Sequence, residues 1–145
     1  MQPYSVAEHS LLVERLFSES TPQKQIKWRL AALLHDAPEY VIGDMISPFK
    51  EMIGDEYRSV EQRLQAAIHL RFGLPPILPI SIVKLIKKSD RLAAYIEATQ
   101  LAGFSQVEAR RFFGNFRKIP KIKIQPSTAD DARRKFLDKF NSVFN

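Results

Sequence analysis

The chain has no cysteine, which removes disulfides and thiolate metal sites together and fits a reducing compartment. No apolar run approaches the ~20 residues that a bilayer span requires. The opening residues Met1-Gln2-Pro3-Tyr4-Ser5 lack the basic start and apolar core of a secretory signal. A cytoplasmic location without membrane partners is therefore the expectation. There are no internal repeats and no strand-rich region. No helix clusters Arg with Asn as a recognition helix does, so a nucleic-acid-binding domain ranks lowest among the function classes, although the net charge of +6 suits an anionic ligand.

Hydrophobic residues make up 45% and charged residues 26% of 145 positions, which predicts one folded domain with a real core. Ser5 and Glu8 have capping-box spacing and start a helix near Val6. Its apolar positions Val6, Leu12, Val13, Leu16 and Phe17 share a face with His9. Thr21-Pro22 reads as an N-cap before a second helix reaching about His35, with Ile26, Leu30, Leu33 and Leu34 inward and Trp28 packing. Pro38 and Gly43 break regularity, and the segment from Glu39 to Asp44 reads as a loop. A short helix over Pro48 to Ile53 and a long one from Asp55 to Phe72 follow, the latter ended by Gly73 and Pro75-Pro76. Pro79 to Leu101 is the second long helix. Ser105 and Glu108 cap another over Val107–Phe113. Gly114 to Pro126 is basic extended coil, and Ser127 caps a last helix with Phe136, Leu137, Phe140 and Phe144 inward. The fold class is all-α.

The apolar run Ala31-Ala32-Leu33-Leu34 ends abruptly in His35-Asp36. Desolvating that aspartate costs several kcal/mol unless something pairs with it. A divalent cation does so, because imidazole and carboxylate are both common ligands of zinc, iron, manganese and cobalt. An isolated His-Asp pair is more often a solvated helix end, and a lone histidine on an apolar face, such as His9, is more often a core residue. Asp90 adds a third signal. It lies in mid-helix between apolar turns, where aspartate has poor propensity, and its bland reading is a salt bridge to Lys87 or Arg91. Three acids, Asp36, Glu39 and Asp44, accompany His35 within ten residues. His69 has no accompanying signal and reads as structural.

Together these residues spell His9 … His35-Asp36 … Asp90 on successive helices. The pattern resembles the HD-domain metal-dependent phosphohydrolases, in which a helical bundle presents H…HD…D to metal. The flanks Val6-Ala7-Glu8-His9-Ser10-Leu11, Leu34-His35-Asp36-Ala37-Pro38-Glu39, Gly43-Asp44-Met45-Ile46-Ser47-Pro48-Phe49-Lys50 and Lys88-Ser89-Asp90-Arg91-Leu92-Ala93-Ala94-Tyr95 resemble its 5′-deoxynucleotidase branch. The resemblance covers about residues 4 to 100, and helices over 105–144 would complete a single-domain bundle spanning 1–145. It implies metal ligands at His9, His35, Asp36 and Asp90, an acidic residue acting on the nucleophilic water at Glu39, and an acidic residue against the sugar–phosphate at Asp44. Lys50, Lys84, Lys87 and Lys88 are available to neutralise phosphate, and Lys50 is taken as the substrate contact. The eight residues before His9 include no basic residue, which departs from the family's upstream phosphate contact.

The function expected from this resemblance is hydrolysis of phosphate from a 5′-(deoxy)nucleotide, a monophosphate rather than a triphosphate, with a divalent metal of unresolved identity. The alternatives are a deoxynucleoside triphosphate phosphohydrolase and an HD-fold module that holds metal and nucleotide but turns over little. The expected partner is a small nucleotide, with no nucleic acid and no membrane; a homodimer is compatible with the sequence.

Overall fold

A capping box starts the first helix where the sequence places it. In this computed structural model, which describes residues 4–21, 23, 25–42 and 47–144 and side chains at 4–21, 23, 25–39 and 54–144, the helix α1 spans Val6–Ser20. Glu8 N–H donates to Ser5 Oγ, and Glu8 Oε2 accepts from Ser5 N–H at 2.7 Å. The other helices are α2 (Ile26–Leu33), α3 (Ala37–Ile42), α4 (Ser47–Arg71), α5 (Ile80–Leu101), α6 (Gln106–Phe113) and α7 (Ala129–Phe144). No strand occurs among the described residues, as expected for an all-α chain. None of the described helices is long and apolar enough to cross a membrane.

Helix α1 packs against α2, α5 and α7, α2 against α7, α5 against α6 and α3 against α4. It therefore serves two apolar clusters. Phe17 joins Leu30, Leu33, Leu34, Ile82, Ile86 and Val143 in one, and Leu12, Val13 and Leu16 join Ala93, Tyr95, Ile96 and Ala109 in the other. A fully buried side chain of this size contributes ~1.5–3 kcal/mol, so α1 is fixed along most of its length, and with it the position of His9. Glu14 is also buried on α1; it accepts from Arg29 at 3.0 and 3.1 Å and lies 3.8 Å from Lys139 Nζ. Burial of a carboxylate without such partners would be strongly destabilising.

Several local expectations need correction. Thr21 does not start α2. It is the C-cap of α1, with both its N–H and its hydroxyl donating to Phe17 O, and α2 begins at Ile26 after Gln25. Ile26 is largely exposed, whereas Leu30, Leu33 and Leu34 are buried as expected. Trp28 packs against the first cluster. Pro38 does not break a helix, and Glu39 does not lie in a loop; both belong to α3. Proline is well tolerated there, because a first-turn N–H has no partner within its helix. At the chain's other end, Thr128 rather than Ser127 caps α7: Asp131 N–H donates to Thr128 Oγ1 at 3.1 Å. Ser127 instead donates from its N–H and its hydroxyl to Glu8 Oε1, at 2.6 and 2.8 Å, across 119 residues of sequence. Leu137 and Phe144 are more exposed than periodicity suggests, and Val143 is the buried residue of that turn.

Other expectations hold. Helical hydrogen bonding runs over Ser47–Arg71 but is interrupted at Gly54, where φ is 47° and ψ is −113°, separating the short helix from the long one as the sequence suggested. Ser105 and Glu108 form the second capping box. The basic segment after Gly114 is coil. Gln100 takes the place of a strand partner for it, donating to Ile122 O at 2.6 Å and accepting from Ile124 N–H at 2.7 Å.

Candidate metal centre

The site forms where α2 stops. Beyond Leu33 the chain closes three tight turns: His35 N–H donates to Ala32 O, Ala37 N–H to Leu34 O and Glu39 N–H to Asp36 O, at 3.3, 3.0 and 3.0 Å. This corner between α2 and α3 carries His35 and Asp36. Opposite it, α1 presents His9 and α5 presents Asp90. One ligand-type atom from each of the four residues lies within 4.8 Å of every other, so the structure brings His9, His35, Asp36 and Asp90 together although 81 positions separate His9 from Asp90.

His9 Nε2 lies 2.7 Å from Asp90 Oδ1 and 3.7 Å from Asp36 Oδ2. His35 Nε2 lies 3.1 Å from Asp36 Oδ2 and 3.4 Å from Asp90 Oδ1. Neither approach to His35 has hydrogen-bond geometry, so this buried nitrogen has no hydrogen-bond partner. Its other nitrogen is satisfied: Nδ1 lies 2.9 Å from Ala32 O, an atom that can only accept, so Nδ1 carries a proton. An imidazole held through Nδ1–H, its buried Nε2 at ion-pair distance from two carboxylates but aligned in a hydrogen bond with neither, is arranged as a metal ligand is. The histidines are the more enclosed members, at 17% and 11% exposure, while Asp36 and Asp90 reach solvent at 28% and 41%. A cation held by this set would be open on its carboxylate side.

Charge in the site reinforces the geometry. Burial alone would lower the pKa of His9, but hydrogen bonds and attraction from Asp90 and Glu97 outweigh it and raise the imidazole to about 10. For His35, burial is likewise outweighed by Asp36 and Asp90, which raise it to about 9. Burial opposes ionisation of Asp90, yet the His35 and His9 rings hold it well below the usual carboxylate range. The carboxylates thus draw positive charge onto both rings, which is the demand a divalent ion would meet.

One functional candidate was not visible from sequence reasoning. Glu97 on α5 accepts from His9 Nδ1, with 2.6 Å between His9 Nδ1 and Glu97 Oε2. The half-buried Tyr4 phenol sits against the same carboxylate, and burial, then the charge of Glu97, push it far above the ordinary tyrosine value. Glu97 follows Asp90 by two helical turns and so shares its face. That spacing is the only signal in the sequence, and a glutamate in a helix is too ordinary to stand out by it.

The remaining expected residues divide. His69 stays apart from the cluster; its ring is buried on α4, 2.8 Å from Gln65 Nε2 and 3.1 Å from Pro76 O, where it ties the helix end to the following turn. Glu39 is half-buried in α3, one turn beyond Asp36. Asp44 and the side chain of Lys50 lie outside the described residues.

Known proteins share this sequence over much of its length. A Rhodobacter capsulatus protein is 60% identical over 111 residues, covering 77% of this chain and 57% of that protein. The Escherichia coli protein YfdR is 35% identical over 143 residues, covering 97% of this chain and 71% of its own length. The chain thus matches little more than half the length of the Rhodobacter relative. Residues 1–142 match the YfbR-like 5′-deoxynucleotidases, and with the H…HD…D residues gathered at one point of an all-α fold, the chain belongs to that family.

Proposed function

We propose that the protein is a metal-dependent phosphohydrolase that releases phosphate from a 5′-nucleotide in the cytoplasm, a deoxynucleoside monophosphate before a triphosphate. The observation that carries this reading is the convergence of His9, His35, Asp36 and Asp90, with the buried Nε2 of His35 facing two carboxylates without an aligned hydrogen bond. Two imidazoles and two carboxylates fit zinc, cobalt, manganese or iron alike. In this reading all four residues hold the ion. When bound, the ion supplies Lewis acidity, acidifying water and offsetting charge on the phosphoryl oxygens.

The chain's own groups supply the rest. His35 and His9 are oriented from behind, by Ala32 O and by the Glu97 carboxylate. Glu39 is assigned the acid–base role, taking a proton from the attacking water or returning one to the departing 5′ oxygen. Asp44 is assigned the sugar–phosphate contact and Lys50 the neutralisation of phosphate.

Turnover of a panel of deoxynucleoside and ribonucleoside mono- and triphosphates by metal-reconstituted protein tests the proposal, with Asp36→Ala alongside. We expect phosphate release from a deoxynucleoside monophosphate by the wild type. Asp36→Ala should keep its helical circular dichroism and lose both metal and turnover. A full metal complement in that variant would remove Asp36 from the ligand set. Triphosphate released intact from a deoxynucleoside triphosphate would move the substrate assignment, and metal and nucleotide binding without any turnover would make the protein a binding module.

A further inference from the structure

We infer that Glu97 is a positioning residue of the metal centre: its carboxylate fixes the His9 ring through Nδ1–H, so that Nε2 is presented to the ion as an electron-rich ligand. The inference rests on the metal reading above and extends it to a residue outside the four-member cluster.

The two histidines are held from behind by unlike acceptors. His35 Nδ1 lies 2.9 Å from a neutral backbone carbonyl, Ala32 O. His9 Nδ1 lies 2.6 Å from an anionic oxygen, Glu97 Oε2. A hydrogen bond to a charged acceptor is shorter and stronger than one between neutral groups, and a carboxylate behind a ligating imidazole both sets its tautomer and raises its basicity. No lysine or arginine pairs with Glu97 among the described residues. Its side chain is only 18% exposed, so solvent does little to satisfy it. Among the described residues this enclosed carboxylate has the Tyr4 phenol beside it and the His9 imidazole as its ion-pair partner, and burying a charge without such partners is costly. Helix α5 supplies both Asp90 and Glu97, so a single rigid element carries one member of the cluster and orients a second member standing on α1.

The test uses the full chain with Zn²⁺ as the probe, its affinity read by competition with a chromophoric chelator. The variants are Glu97→Ala, Glu97→Gln and, as a control for removal of one negative charge elsewhere, the exposed Asp138→Asn on α7. We expect Glu97→Ala to weaken Zn²⁺ binding by about 10–100-fold, the usual cost of losing such an outer partner. Glu97→Gln should lie between it and the wild type, because an amide oxygen still accepts from Nδ1–H without the charge. Asp138→Asn should bind as the wild type does. In the zinc-loaded wild type, NMR should show a hydrogen-bonded Nδ1 proton on His9 that Glu97→Ala loses to exchange, a signature that a purely structural role for Glu97 would not move. Wild-type Zn²⁺ affinity in both Glu97 variants overturns the inference while leaving the metal centre intact. Should Glu97→Ala not fold, unchanged affinity in Glu97→Gln overturns it alone. No Zn²⁺ binding by the wild type overturns the metal reading and this inference together.

Discussion

Glu39 stands one turn beyond Asp36, and its backbone N–H donates to Asp36 O at 3.0 Å. The link ties the start of α3 to the corner that carries His35 and Asp36, and on the proposed reading Glu39 serves the reaction without holding the metal. Glu39→Ala should therefore keep its metal, still bind nucleotide and lose turnover by about 10²–10⁴-fold, the usual worth of a positioned acid–base group. Single-turnover kinetics at saturating metal would show it. An unchanged rate would return Glu39 to an ordinary helix residue, and loss of metal would make it a ligand. The site was legible at this scale wherever a residue was out of place in its local context: a histidine on an apolar face, an aspartate in mid-helix, a His-Asp pair closing a buried run. Glu97 escaped notice because nothing about it is locally unusual. Its meaning comes only from His9, 88 positions away.

Among the helices, boundaries were legible where a cap is reciprocal. Ser5 with Glu8 and Ser105 with Glu108 each satisfy donors in both directions and can be read from spacing alone. Single cap residues were ambiguous. Thr21 closes a helix rather than opening one, and Ser127 spends its donors on Glu8 while its neighbour Thr128 caps α7. Pro38 is ambiguous for a related reason, since proline at a helix start and proline after a helix end look alike in sequence. Gly54 marks the break between the two helices. Its φ of 47° with ψ of −113° is open to glycine and strained for any residue with a Cβ, and a Cβ there would meet nothing within 4 Å. The penalty for Gly54→Ala should thus be conformational rather than steric, about 1–3 kcal/mol of stability. Urea denaturation would measure it; a loss below a few tenths of a kcal/mol would mean that the bend straightens when alanine is introduced.

Considered as a whole molecule, the protein would couple metal binding to proton release. Both rings lie above the ordinary histidine value of 6.5, at about 10 for His9 and about 9 for His35. In the metal-free chain their charged, paired forms stabilise the fold fully below about pH 6.5, and that contribution fades as the pH rises through 9 to 10. A metal ion needs the same nitrogens unprotonated. At pH 7 its uptake should expel about two protons per ion, and affinity should climb with pH up to that window. Titration calorimetry in buffers of different ionisation enthalpy would count the protons, and a count of zero at pH 7 would mean that the rings are already neutral. The contact between Ser127 and Glu8 has a consequence for the order in which this molecule is made. Glu8 adjoins His9 on the first helix, and its Oε1 finds its donors only 119 residues later. The inner face of α2 likewise waits for Val143 to complete the cluster that covers it. During synthesis all four residues of the metal cluster leave the ribosome well before the helix that clasps their scaffold. The nascent chain therefore exposes these four residues before the core that fixes α1 and α2 is complete.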